Sequence, residues 1–474
     1  LDNFTDRATY DFHITAPAAK KAFCNGRLQG VEKASDNRKT WHWQLNDPIP
    51  TYLASVAVGP YATVRDQYQG TSDTFPITYA VKPADSAQLK KGFREIHGAL
   101  DVFTDFYGTQ PFSRVGYALI PFRGGAMEHA TNIAFPQSSL SRSLTDQRLW
   151  AHELSHHWWG DLATTHRAEE MWLNEGWATF SEFLFLDHVY GDSTYRQAVK
   201  QNHFEVLATA HKRDGQYRPL VPVPHEATYG VHSYNKGGDV INTLRHHLGD
   251  SLFQQGIKRF LRQRSFEPMT STGLRDTLEA VTGRSLEAFF DQWVFNPGYP
   301  HFRIQELEMQ QAGSQYQVSG AIRQKLHEAP AYFEDVRLPI SAYFQNGRDP
   351  VTRLVEVSGR STSFSVNIPA EPAYLTCDPQ GEIADAKTVV SRAVKAPSTL
   401  ELTRARLDLT IEEVPGSAAP ILAEHHWAAP EEVQEGSADY ELSNERYWRI
   451  EGSFQEGLKA SATLQYDSSK RPDG

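Results

Sequence analysis

The sequence predicts a multidomain α+β chain, and three observations predict it. The length is 474 residues, too long for a single hydrophobic core, so three or four domains are expected. Apolar and polar residues alternate with period two at both ends, and helical apolar spacing fills the middle. Residues 1–67 alternate through Tyr10, Phe12 and Ile14 and again through Trp41, Trp43 and Leu45, broken at Asn25-Gly26 and Pro48; this reads as strands and turns, an all-β amino-terminal piece. Residues 68–297 open with a strand at Ile77–Val81, a helix over Asp85–Tyr107 and strands around Val115–Ile120 and Met127–Phe135, then turn helical. The polar, proline-dotted loop Arg213–Glu226 is expected to border a cleft. A helix over Leu286–Phe295 must stop at Asn296-Pro297-Gly298, because proline cannot continue it. Residues 298–386 return to short strands (Phe302 and Ile304; Tyr316 and Val318; Val336, Leu338 and Ile340; Phe364, Val366 and Ile368) and predict a β-sandwich. In 387–474, alternation through Leu407, Leu409 and Ile411, then Trp427, Tyr447 and Trp448, predicts a further β module.

A formal net charge of -11 offers no basic face for nucleic acid. The longest apolar stretch, Tyr52 to Tyr61, is far short of a membrane span, so a soluble chain is expected. Cys24 and Cys377 fall in different predicted domains and make no disulfide framework. The chain opens at Leu1 with neither Met nor a leader pattern, which reads as a processed product and leans toward a secreted or periplasmic setting.

The chemistry is concentrated in His152-Glu153-Leu154-Ser155-His156. On a helix, residues four apart share a face, so His152 and His156 can aim imidazole nitrogens at one metal with Glu153 beside it. An H-E-x-x-H arises by accident in about one such chain in twenty, so its surroundings decide. Leu149, Trp150, Ala151, Leu154, Trp158 and Trp159 make the helix largely buried, and unpaired imidazoles there would cost several kcal/mol unless a metal offsets the burial. Downstream, Trp172-Leu173-Asn174-Glu175-Gly176-Trp177 opens a second helix and offers Glu175 as a third ligand. Two nitrogens and a carboxylate leave a fourth position for water, which is the pattern of catalytic zinc rather than structural zinc. One Zn2+ per chain is expected, with Glu153 as the base that takes the water's proton. Glu182, seven residues after Glu175, either orients a ligand imidazole or is simply solvated. His157, His225, His232 and the His425-His426 pair read as non-ligands.

These segments resemble the aminopeptidase N family of zinc metallopeptidases. HELSHHWWGD and WLNEGWATF match its metal motifs, Gly125-Ala126-Met127-Glu128-His129 sits where the family carries G-x-M-E-N, and Ser233-Tyr234-Asn235-Lys236-Gly237 sits where it carries its tyrosine motif, all in family order. The resemblance covers most of residues 5–300. It implies a thermolysin-like catalytic domain over 68–297, preceded by the later part of a saddle-like β domain that is longer in the family. It implies that Glu128, with Gly125, Ala126 and Met127, binds the substrate's free amino end, and that Tyr234 donates to the oxyanion. His129 replaces the family's Asn. No large carboxy-terminal helical domain is readable. The implied activity is removal of amino-terminal residues from peptides. A thermolysin-type endopeptidase, or a catalytically silent member acting as a binding module, is the alternative.

Overall fold

The computed structural model describes residues 3–34, 36–71, 73–345, 348–414, 419–430, 443–452 and 458–465. The chain divides into two compact units, one of residues 1–198 with 220–286 and the other of 199–219 with 287–474.

In the first unit, β1 (Arg7–Pro17), β3 (Arg27–Lys33) and β4 (Arg38–Pro50) form an antiparallel sheet in the order β1-β4-β3, and β2 (Lys21–Cys24) pairs with β5 (Val56–Gly59). The period-two alternation has a direct cause here. Phe12 and Ile14 of β1 pack on a core that includes Phe23, Trp41 and Trp43, while the intervening Asp11 and His13 are exposed. A mixed sheet follows, β6 (Ala62–Gln69), β7 (Thr74–Val81), β8 (Val115–Ile120) and β9 (Ile133–Pro136), antiparallel at β6/β7 and parallel beyond.

Between β7 and β8 the expected single helix is two, α1 (Ser86–Gly92) and α2 (Ile96–Tyr107). The break lies at Gly92, where a Cβ would come within 2.6 Å of the Leu140 carbonyl oxygen. Phe93 then turns into a buried aromatic cluster with Tyr79, Tyr117, Phe135 and Trp150. The strand expected over Met127–Phe135 is also shorter. Met127 makes only an isolated bridge to Ala134, and the chain between turns back through Thr131 at φ 60°, so Glu128 lies off the strand.

The helical body comprises α3 (Leu144–Ser155), α4 (Trp177–Tyr190), α5 (Asp192–Arg213), α6 (Gly237–Leu248), α7 (Asp250–Gln263) and α8 (Ser271–Thr282), with a small parallel pair, β10 (Thr164–Thr165) and β11 (Pro268–Met269). Ser143 caps α3, its hydroxyl accepting from the Asp146 N–H at 3.2 Å. Among the described residues no helix is long and apolar enough to cross a membrane.

From residue 287 the second unit continues with a four-residue helix, α9 (Glu287–Phe290), and a π-turn ending at Phe295, after which the described elements are strands and one short 3-10 turn, Thr403–Ala405. Strands β12 (Tyr299–Ala312), β13 (Gln315–His327) and β16 (Ser361–Ile368) form one three-stranded sheet, and β14 (Val336–Tyr343), β15 (Val351–Val357) and β17 (Tyr374–Cys377) another. Two more follow: β18 (Lys387–Val394), β21 (Ala419–His426) and β22 (Tyr447–Gly452), then β19 (Ser398–Leu402), β20 (Leu407–Glu413) and β23 (Lys459–Leu464). These last two share a core in which Leu407, Leu409 and Ile411 meet Val390, Ile421 and Ala423.

Candidate metal centre and active site

Every predicted site residue lies in the first unit. His152 occupies the last turn of α3 and His156 its C-cap, so the two imidazoles stand a turn apart with ring centroids 4.8 Å from one another. Glu175 sits in a π-turn, Trp172–Gly176, that leads into α4. Its Oε2 lies 3.2 Å from His152 Nε2 and 3.5 Å from His156 Nε2. All three side chains are buried.

The other ring nitrogens are held from behind. His152 Nδ1 lies 2.9 Å from Glu182 Oε1, and Glu182 in turn accepts from Arg148 Nε at 2.6 Å. His156 Nδ1 lies 2.8 Å from the Trp159 carbonyl oxygen. With Nδ1 of each ring held by an acceptor, the Nε2 atoms, which face Glu175, are the ones that would give a lone pair to a metal in exchange for their protons. Burial alone would lower both imidazoles, yet Glu175 and Glu182 hold His152 well above its ordinary value, and Glu128 and Glu175 hold His156 up at about 9. Burial would likewise raise Glu175, but the two histidines hold it far below the usual carboxylate range. Two imidazoles and a carboxylate oxygen converging in so negative a pocket fit a divalent transition metal such as zinc.

Glu153 is fully enclosed, and burial pushes its carboxyl up to about 7, near the optimum for a general base at neutral pH. Glu128, Glu153 and His156 offer atoms within 4.8 Å of one another, which puts the Glu128 carboxylate beside His156 and Glu153. Asn174 Nδ2 donates to Glu128 Oε1 at 3.5 Å. Met127 is fixed by two backbone hydrogen bonds to Ala134, whereas Gly125 is exposed at φ 73° with open space around it.

Tyr234 lies in a second π-turn, His232–Lys236, with its ring parallel to that of His152 at 5.9 Å. Burial, the charge of Glu175 and a hydrogen bond to Glu175 all raise its phenol far above the ordinary value, so it stays protonated as a donor. The two π-turns cross at glycines: a Cβ on Gly176 would come within 2.9 Å of Gly237 Cα. Such single-turn π-segments recur at functional sites because the extra residue re-aims a side chain. Behind them, Trp159 and Trp177 stack at 3.9 Å between centroids.

Glu182, which the sequence leaves open between two roles, here meets the His152 imidazole. Arg148 and Asn174 were not singled out, although Arg148 stands four residues before His152 and Asn174 directly before Glu175. Tyr229 is 66% exposed. His157 packs its ring edge-on against Phe112 and accepts from the Thr131 N–H.

Residues 98–293 match the Peptidase family M1 domain. Over those residues the chain is similar to the M1 peptidases. Glutamyl aminopeptidase of Sus scrofa is 26% identical over 328 residues, which cover 65% of this chain and 34% of that protein. Aminopeptidase N of Streptomyces lividans is 25% identical over 399 residues, 78% of this chain and 45% of the relative. The chain therefore spans between about a third and a half of the length of these relatives. Among solved structures, the M1 zinc metallopeptidase from Deinococcus radiodurans superposes with a TM-score of 0.55 at 25% identity, covering 61% of this chain and 64% of that one. Legionella pneumophila aminopeptidase A, in complex with aspartic acid, superposes with a TM-score of 0.66 at 18% identity over 81% of this chain and 45% of its own, a likeness of fold.

Proposed function

We propose that this M1 chain is a zinc-dependent aminopeptidase that removes amino-terminal residues from peptides, with one zinc held by His152, His156 and Glu175. One observation carries the reading: the converging donors of those three residues stand beside a Glu128 carboxylate that is within 4.8 Å of Glu153 and His156 donor atoms. The similarity to aminopeptidases and to zinc metallopeptidases of the M1 family supports it. All of these residues fall inside the stretch 68–297, read as the catalytic body.

Zinc bound there would supply a Lewis acid for the scissile carbonyl and acidify a bound water toward neutrality. The rest is the work of the chain's own groups. Glu128, steadied by Asn174, accepts hydrogen bonds from the substrate's α-ammonium and sets its register. Glu153 takes a proton from the attacking water and passes it to the leaving amine. The Tyr234 O–H donates to the oxygen that gains charge in the transition state. Glu182, with Arg148 behind it, keeps the His152 ring oriented. The test is hydrolysis of aminoacyl arylamides with and without a chelator. Turnover that is abolished by the chelator and restored by zinc is expected, and hydrolysis indifferent to the chelator contradicts the reading.

A further inference from the structure

A second cluster of metal-binding side chains lies on the amino-terminal sheet. Asp11, His13 and His42 each offer a donor atom, and the three atoms lie within 4.8 Å of one another. Their placement follows from the strand register. His13 of β1 is directly opposite His42 of β4, and Asp11 pairs with Gln44 two residues along. With a side-chain period of two, Asp11, His13 and Thr15 share one face with Thr40, His42 and Gln44; the 2.8 Å contact between the Thr15 and Thr40 hydroxyls is the same face seen one pair further on. Phe12 and Ile14 point the opposite way, into the core. The cluster therefore stands on the polar side of a well-packed sheet, and its backbone is fixed whether or not a ligand is bound.

The imidazoles of His13 and His42 stack with centroids 4.2 Å apart and planes 15° from parallel. His42 Nε2 lies 2.9 Å from Asp11 Oδ1. The side chains remain accessible, His42 at 35% and Asp11 at 56% exposure. On the other side of β4 the residue paired with His42 is Gly30, and nothing stands within 4 Å of where its Cβ would be. That gap leaves room for water to complete a coordination sphere.

We propose that Asp11, His13 and His42 form a second transition-metal site, separate from the catalytic centre. Two imidazole nitrogens and one carboxylate oxygen suit Zn2+, Cu2+ or Ni2+, whereas Ca2+ and Mg2+ require a set of oxygens that this face does not supply. Bonds of about 2.0–2.2 Å to each donor would replace the direct His42–Asp11 contact, and the half-exposed rings tilt out of their stack to meet the ion. Bound metal would tie β1 to β4 across the sheet, and it would stabilise the folded chain because the unfolded chain lacks the site. No residue of the hydrolytic centre takes part.

The experiment is a metal titration of the chelator-stripped full chain, read as stoichiometry by calorimetry with Zn2+ and as the nitrogen splitting of the Cu2+ electron paramagnetic resonance spectrum. The wild-type chain should bind one more equivalent of Zn2+ than either His13→Ala or His42→Gln. That additional Cu2+ should show two nitrogen ligands, and Mg2+ should not compete. Both variants should keep the wild-type melting temperature without metal and the wild-type rate of arylamide hydrolysis. Because the readout is a difference of one equivalent, it holds whatever the catalytic centre binds: His152→Ala should remove a different equivalent and leave this one. Equal stoichiometry in the wild-type chain and both variants would overturn the proposal, as would loss of the additional equivalent in His152→Ala but not in His13→Ala.

Discussion

Glu175 and Tyr234 ride on π-turns whose backbones meet at Gly176 and Gly237, and Gly237→Ala tests how finely that crossing is set. A Cβ at Gly237 would lie 2.8 Å from Gly176 Cα, where ordinary contact begins at 3.4 Å. Neither atom belongs to a flexible side chain, so the crossing must open by about 0.6 Å. Overpacking of this kind costs about 1–3 kcal/mol of stability. The catalytic penalty is larger in proportion, because a misplacement of about 1 Å can cost on the order of a hundredfold in rate. We therefore expect kcat/KM on an aminoacyl arylamide to fall by about ten- to a hundredfold. The melting temperature should drop by about 2–12 °C for a unit of this size, and one equivalent of catalytic zinc should still bind. The assay pairs steady-state kinetics with zinc content and a thermal melt. A Gly237→Ala chain with wild-type kcat/KM would refute the idea that the glycine crossing positions Tyr234 against the metal residues.

Other consequences follow from the same geometry. Glu153→Gln removes the proton acceptor and leaves the ligands in place, so turnover should fall by about 10²–10⁴ while zinc content, measured by atomic absorption, stays at wild-type level. Glu182→Gln leaves the His152 ring without its charged acceptor and should weaken catalytic zinc about 10–100-fold in a chelator competition; unchanged affinity would mean that the contact orients nothing. In the second unit, the buried Lys387–Glu424 pair, 3.2 Å apart, should lose about 3–5 kcal/mol on Glu424→Gln, which strands the ammonium, measured by denaturant unfolding. Burial opposes the charge of Glu424, but Lys387 and His426 hold its carboxyl well below the ordinary value. A depressed carboxylate contributes fully above its unfolded pKa of about 4.3, so this stabilisation should be complete at neutral pH and erode as pH falls from about 5.

The convergence of His152 and His156 was legible because local backbone geometry specifies it. Spacing of four on a helix is enough to bring His152 and His156 to one face, and burial among tryptophans leaves a metal as the natural partner. Strand alternation was legible for the same reason, since Phe12, Ile14, Trp41 and Trp43 had to face one core. Features set by contacts distant in sequence were harder to read. The break at Gly92 answers to the Leu140 carbonyl, some fifty residues away, and nothing in the apolar spacing of 85–107 marks it beyond the glycine itself. Glu128 left its expected strand because Thr131 turns the chain. Glu182 could not be told from a solvated carboxylate until Arg148 and His152 were seen on either side of it. Asp11, His13 and His42 carry no spacing signal, because 28 residues of intervening chain separate the two histidines and only the β1–β4 register joins them.

The central claim is that Glu128 makes this metal site an exopeptidase, and one comparison tests it most directly: cleavage of a peptide with a free amino terminus against the same peptide acetylated there. The account predicts stepwise loss of amino-terminal residues from the free peptide and no cleavage of the acetylated one. An acetylated peptide cut at an internal bond at the rate of the free one would contradict it and leave Glu128 without its role.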